Sequence, residues 1–498
     1  MGVINRQTIK SVIYTYAGTV LGFITVGILF PIYLTTSEIG ALNLVNRWSM
    51  MIMQIGTLGF PVAMIKYFPY YKNKEKKHHG FLFISLIIGV IGFLITTGIL
   101  LIFNDAIIEN ENEKSPLFSQ YFNYIYLVTF FYLFFYILDT YSKAIYQSSA
   151  SVLLREFVQR IIIIVLTGAF IGKLIGFDDY AILYFITICT PTLFLFMFLW
   201  VKKEIHLTPN FEIFRSEHKN SIIKRSAFGL ISGLGISGLL SIDVIMLNEY
   251  LGESSAGVYT TVFYFAALIL IPFRAFGRLA GNLIAEAIKE NDHKRLKKVY
   301  YNSCLTQFII GTILLALMLV NMDNIFTFLK PEFKAAYYVI LIVGAGNLFE
   351  MATGFNHSII DYSKYYRFGA YFVGLLIICT IVFNMIFIPI MEINGAAVGT
   401  ALSLIVFNLV KTIFVYRKYK LWPFNMNFIW VLLLATILIS VVWIIPNVSN
   451  IYFNMLFKSS LLFFPLFGVI YLAKFSTEFN KNVHNFLTLL KRKDHDKK

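Results

Sequence analysis

Charge is what this sequence has least of. Asp, Glu, Lys and Arg make up 14% of its 498 residues, where ordinary soluble domains carry about 25%. A chain solvated over its whole surface is therefore excluded. Acidic residues are the scarcer sign, 27 against 42 Lys and Arg. Cysteine is nearly missing: Cys189, Cys304 and Cys379 stand far apart inside apolar stretches. They lack the spacing of a disulfide framework or a metal site and read as packing residues. Equally absent are a phosphate-binding P-loop, a His-Glu-x-x-His motif and a Ser/His/Asp set. No catalytic residue, no metal ligand and no intrinsic ATPase activity is expected; the chain does not read as an enzyme.

Apolar residues are abundant instead, at 58%, with 50 Phe and 30 Tyr, far beyond what a disordered chain carries. A transmembrane helix needs about 20 such residues to cross a hydrocarbon core about 30 Å thick. About fourteen stretches qualify: 10–34, 39–65, 80–103, 120–142, 150–171, 181–201, 226–248, 255–277, 299–320, 336–357, 368–389, 394–415, 427–445 and 453–473. Gly56, Gly59 and Pro61 break the second, and Gly344 and Gly346 sit within the tenth. Residues 1–11 are polar and mixed, and the run behind them is longer than a signal peptide's apolar core, so no cleaved leader is expected.

With the N-terminus inside, the cytoplasmic segments hold 33 Lys and Arg and the outer loops hold 4. That asymmetry predicts both termini in the cytoplasm. The net charge of +15 is thus a record of topology, and nucleic acid is not an expected partner. The basic tail, Lys491-Arg492-Lys493 and Lys497-Lys498, suits anionic headgroups, so membrane lipids are.

The chain also repeats itself. Tyr33-Leu34-Thr35-Thr36-Ser37-Glu38-Ile39-Gly40-Ala41-Leu42-Asn43-Leu44-Val45 and the segment from Tyr250 to Val262 share Tyr, Leu, Ser, Gly and Val at a constant offset of 217. A second likeness links Ile137-Leu138-Asp139-Thr140-Tyr141-Ser142-Lys143 to Ile359-Ile360-Asp361-Tyr362-Ser363-Lys364. Six spans separate the copies, so both halves have the same orientation, related by an axis along the membrane normal. The fold class expected is an all-α polytopic membrane protein. Residues 1–210 and 211–425 form two pseudo-symmetric six-helix lobes, 426–475 an appended helix pair, and 476–498 a basic cytoplasmic tail.

Asn384-Met385-Ile386-Phe387-Ile388-Pro389-Ile390, followed by Ile393-Asn394-Gly395-Ala396-Ala397-Val398-Gly399-Thr400-Ala401-Leu402-Ser403, resembles a signature of the polysaccharide transporter branch of the MOP flippase superfamily. Physically, such a motif lines one helix with small residues so that a neighbour can approach closely. The basic connector 286–298 and the first outer turn with Gly40 are similar to that family's too. The superfamily includes Wzx-type O-antigen flippases, lipid II flippases and MATE multidrug exporters. The resemblance implies MATE-like lobes and alternating-access transport of an undecaprenyl-pyrophosphate-linked oligosaccharide. It also implies a bacterial cytoplasmic (inner) membrane location and glycan polymerase or glycosyltransferase partners in polysaccharide biosynthesis, as for lipopolysaccharide O-antigen. MATE exporters commonly carry an acidic residue in the first span, whereas residues 10–34 hold no Asp or Glu. A lipid II flippase and a MATE-type multidrug or cation antiporter stay as alternatives. A membrane polymerase or glycosyltransferase ranks lower, because the longest outer loop, 104–119, carries only a scattered acidic face.

With the 33 cytoplasmic and 4 outer charges set aside, five cations remain inside spans: Arg47, Arg155, Arg160, Arg274 and Lys458. Lys458 lies near a helix end and is expected to snorkel. The others are costly unless they face a cavity or a partner. Asn43, Arg47, Met50 and Gln54 share one helical face. Arg160 has Glu156 one turn away, a pair able to neutralise itself. Guanidinium groups bind phosphate oxygens in bidentate fashion, so Arg47, Arg155, Arg160 and Arg274, with Asn43 and Gln54, are the candidate substrate-binding set. Glu350 and Asp243, with Asn347 and His357, are the candidate cation-coupling set. Asn347, Glu350, Gly354 and His357 read as one polar stripe on span ten. No cofactor is expected apart from a coupling H⁺ or Na⁺.

Overall fold

The computed structural model describes residues 2–73, 75–111, 113–210, 217–484 and 488; the basic run from Lys491 onward lies outside them. Each of the fourteen apolar stretches is helical, and no strand occurs among the described residues. Nine of the described helices are long and apolar enough to cross a bilayer, or ten if Thr36–Gly56 and Phe60–Tyr71, bent by 47°, count as one span. The shortfall from fourteen has physical causes. Stretches 368–389 and 394–415 run as the single 52-residue helix Phe368–Tyr419, about 78 Å long. That is more than two hydrocarbon thicknesses, and the backbone breaks inside it at Glu392 (φ 52°, ψ −128°). Stretch 150–171 is divided into Ser148–Val152, a π-helical turn Leu153–Val158 and Gln159–Ile171. Stretch 336–357 is divided at Gly354 and Phe355 into Val339–Thr353 and Asn356–Asp361. These are helical but interrupted, so helix length alone does not set the count at fourteen.

Two compact units are present, Met1–Thr261 with Ile388–Glu392, and Val262–Phe387 with Ile393–Lys498. In the first, the helix Thr36–Gly56 opens with a capping box. The Thr35 hydroxyl accepts from the Glu38 N–H at 3.2 Å, and the Glu38 carboxylate accepts from the Thr35 N–H at 2.7 Å. Gly59, at φ +66°, turns the chain into Phe60–Tyr71; a β-carbon there would strike the Ser226 carbonyl and the Leu230 amide. The buried Phe68 ring meets Phe81 at 5.7 Å and Tyr141 at 5.6 Å, both edge-on. Leu133, Leu195, Leu199 and Ile222 close this core.

The two copies of the 217-residue repeat touch each other inside this unit. Thr36 Oγ1 and Ser254 Oγ are 2.7 Å apart. A β-carbon on Gly40 would overlap the Glu253 carbonyl, and one on Gly257 would overlap the Thr36 carbonyl. Glycine 40 corresponds to 257 and residue 36 to 253, so the contact is reciprocal. Beside it the buried Glu253 carboxylate accepts from the amides of Phe118, at 2.8 Å, and Leu117, at 3.4 Å.

In the second unit the signature residues pack as a stripe of small side chains requires. A β-carbon on Gly399 would collide with the fully buried Asn384 amide, and one on Gly346 would come within 3.0 Å of the Ala401 Cα. Tyr300 donates to Asn356 at 2.6 Å, and Asn356 donates to Thr412 at 2.8 Å. The terminal pair Met426–Ile444 and Ile451–Leu472 is anchored by Asn454, which donates to Asn324 at 2.9 Å. Lys458 does not snorkel into the surroundings: one turn after the buried Asn454, it is itself buried, 5% exposed.

Candidate functional site

An open cavity of about 270 Å³ lies in the first unit, bordered by Asn43, Asn46, Arg47, Tyr132, Arg155, Glu156, Gln159, Arg160 and Tyr184, among others. Three guanidinium groups from two different stretches thus converge against one carboxylate. Arg47 comes from Thr36–Gly56. Arg155 and Glu156 sit on the π-helical turn and Arg160 just after it. In an α-helix, residues five apart point about 140° away from each other. A π turn closes its hydrogen bonds over five residues, which brings Arg155 and Arg160 toward one face. A second π-helical turn, Phe23–Leu29, supplies Thr25 and Val26 to the same wall.

Polar contacts fix the lining. Tyr132 donates to Asn46 Oδ1 at 3.0 Å, and Asn46 donates to the Tyr184 hydroxyl at 3.3 Å. The Arg155 guanidinium lies over the Tyr132 and Phe135 rings at 5.9 and 5.5 Å, an orientation favoured by the negative ring face. Arg160 pairs with Glu156 at 3.3 Å. Arg47 is influenced electrostatically by Tyr132, Tyr184, Asp243 and Tyr259.

Gly18 lets the π turn come close, since a β-carbon there would overlap the Glu156 carbonyl. Gly18→Leu is therefore expected to displace Arg155 and Glu156 and to lower transport at least tenfold without changing any charge. Gly168→Leu, with nothing within 4 Å of its β-carbon position, should match wild type in the same export assay.

The other sequence candidates lie elsewhere. Gln54 is buried against Gly233 and does not line the cavity. Asp243 is buried in the first unit and accepts from Tyr259 at 3.1 Å. Arg274 is exposed, in the second unit, on Ile271–Lys289. Asn347 is buried and donates to the Ala266 carbonyl at 3.0 Å, a tie between backbone and side chain. The stripe through Glu350 and His357 does not lie on one helix, because the turn at Gly354 and Phe355 separates them. His357 is exposed, with Nδ1 2.5 Å from the Gly354 carbonyl.

A buried cation in the second unit was missed by the sequence reading. Lys411, counted among the 33 cytoplasmic charges although it falls near the end of stretch 394–415, lies inside Phe368–Tyr419 and is 4% exposed. Its ammonium stands over the Phe407 ring at 3.8 Å and interacts electrostatically with Glu350 and Asp361. Asn408, Lys411 and Thr412, spaced i, i+3, i+4 and all buried, were the available signal.

The sequence model of a family described as polysaccharide biosynthesis protein matches residues 4–278, more than half of the chain. The chain belongs to this polysaccharide biosynthesis family. No curated protein matches this family member. Among solved structures it is similar to a lipid II flippase, MurJ, in an inward closed conformation. That likeness has 14% identity over 93% of this chain and 99% of the other, with a TM-score of 0.74. An inward-facing MATE multidrug resistance transporter of the MOP superfamily gives 14% identity, 82% and 98% coverage and a TM-score of 0.68. A MOP superfamily transporter from Pyrococcus furiosus gives 15%, 84% and 95%, and 0.61. The polysaccharide biosynthesis family protein therefore has the MOP-superfamily fold and is a multi-pass membrane protein.

Proposed function

We propose that this protein is a flippase that carries a lipid-linked oligosaccharide, its headgroup joined to the lipid by pyrophosphate, across the bacterial cytoplasmic membrane by alternating access. Both termini lie in the cytoplasm in this reading, and glycan-synthesising enzymes act before and after it. The observation that carries the proposal is the cavity lined by Arg47, Arg155 and Arg160 in a polysaccharide biosynthesis family member. Guanidinium groups in a low-dielectric wall favour a diphosphate. At about 270 Å³ the cavity suits a compact charged group, since drug-sized ligands occupy about 300–1,000 Å³. A cationic drug would meet three positive groups against one carboxylate.

Purified protein in liposomes with a fluorescent undecaprenyl-pyrophosphate oligosaccharide tests this. Exposure of the label on the far leaflet should rise with time above protein-free vesicles. Export of a cationic dye with no movement of the lipid would overturn the reading in favour of an antiporter; movement of lipid II alone would narrow it to peptidoglycan precursor.

Glu350 serves as the coupling carboxylate in this proposal, with H⁺ as the ion. A buried ammonium, Lys411, acts electrostatically on Glu350, so uptake of a cation at Glu350 would be felt at Lys411. Glu350→Gln is expected to slow flipping at least tenfold and to abolish its response to an imposed pH gradient. A rate driven by a Na⁺ gradient in the wild type would contradict this assignment.

A further inference from the structure

A cluster of metal-ligating side chains lies outside the cavity. We propose that His78, Glu204 and His206 in the first unit form a binding site for a divalent transition-metal ion, with Zn(II) the best match. One ligand atom from each of the three lies within 4.8 Å of the others. Two imidazoles and a carboxylate are a donor set that zinc takes readily, leaving a fourth position for water. Nitrogen donors argue against Ca²⁺ and Mg²⁺, which prefer oxygen.

The surroundings hold two of these groups in place. His78 is 2% exposed and Glu204 8%, while His206 is half-buried and leaves one side open. The His78 ring lies against the buried Phe68 ring at 5.3 Å and the His206 ring at 5.7 Å. The Glu204 carbonyl accepts from the Tyr141 hydroxyl at 2.9 Å, which ties that backbone to the aromatic core. His78 Nε2 and Glu204 Oε2 are 4.0 Å apart. Tetrahedral zinc, with ligand bonds of about 2.0–2.1 Å, needs donors about 3.3 Å apart. Side-chain rotations must bring this pair closer by about 0.7 Å and any pair at the 4.8 Å limit by about 1.5 Å.

The backbone adds a second, independent observation. Lys77, His78 and His79 have φ of 50°, 53° and 50°, and Gly80 has +66°. A run of left-handed residues is costly for each that carries a side chain. It persists where the surroundings enforce it, and such strain concentrates at functional sites. Gly80 is the point of enforcement, because a β-carbon there would lie 2.7 Å from the Thr208 carbonyl and 2.9 Å from Asn210. The strained turn is thus pressed against the segment that carries Glu204 and His206. A bound ion would staple the junction between Phe60–Tyr71 and Phe81–Glu111 to the chain leaving Phe177–Val201.

The test uses full-length protein in detergent, stripped with a chelator and dialysed against Zn(II). One retained zinc per chain is expected, with a higher melting temperature and a tetrahedral absorption spectrum when Co(II) is substituted. His206→Gln and the isosteric Glu204→Gln should each weaken binding at least tenfold while melting like wild type in metal-free buffer. Absence of a stoichiometric zinc in the wild type would overturn the site. So would wild-type affinity in either variant when its metal-free melting is normal.

Discussion

Arg47→Ala is expected to slow translocation of a lipid-linked oligosaccharide at least about tenfold. A hydrogen bond to a charged group contributes about 1.5–3 kcal/mol, and 1.4 kcal/mol is a factor of ten. Arg47 feels the buried Asp243, itself held by Tyr259, from outside the cavity lining, and the one carboxylate within the lining, Glu156, is already paired with Arg160. Its loss therefore removes charge available to a phosphate. Arg160 behaves differently. Arg160→Ala frees Glu156 from its partner to compete with a phosphate for Arg47 and Arg155, so the single substitution should impair transport as strongly. The double variant Glu156→Gln with Arg160→Gln removes both charges and should recover part of the rate, a coupling that a double-mutant cycle measures. Translocation in liposomes, alongside thermal unfolding in detergent, separates a site effect from misfolding. A wild-type rate for Arg47→Ala would remove the cavity from the mechanism.

The second large effect concerns the contact between repeat copies. Gly40→Leu and Gly257→Leu are each expected to lower the melting temperature and abolish export. In both cases the added β-carbon meets a backbone carbonyl rather than a movable side chain. Overpacking costs about 1–3 kcal/mol even where neighbours can yield, and here the yielding partner would be a helix. Gly98→Leu, with open space at its β-carbon position, should melt and transport like wild type. Normal melting in the Gly40 variant would show that the two helices separate without penalty.

Much of this architecture was legible in the sequence, for definite reasons. Apolar stretches of bilayer length announce helices whatever their partners, and arginine in such a stretch is expensive enough to stand out. Arg47, Arg155 and Arg160 could therefore be singled out before the cavity that joins them was seen. Gly399 and Ala401 could be read as a packing stripe because small residues recur at helical spacing. What stayed hidden depends on three dimensions or on background. Tyr132 and Tyr184 are two among 30 tyrosines, and only their bonds to Asn46 mark them. The π-helical turn has no residue signature, yet it decides which way Arg155 points. Lys411 was lost at a segment border, where counting charges by loop cannot tell a helix end from a helix interior. His78 and Glu204 are far apart in the chain, and only folding of the turn at Gly80 brings them together.

The reciprocity at Gly40 and Gly257 has a bearing on ancestry. A contact in which residue i of one copy meets residue j of the other, and j meets i, is isologous, the kind that a two-fold homodimer makes. Its presence within one chain is what fusion of two identical half-length subunits would leave behind. Both copies would have entered the fused chain with the glycine already required, because in a dimer one substitution alters both sides of the interface at once. Fusion then freed the halves to diverge, so that Arg47 faces the cavity of the first unit while Tyr264, its counterpart 217 residues on, carries no charge.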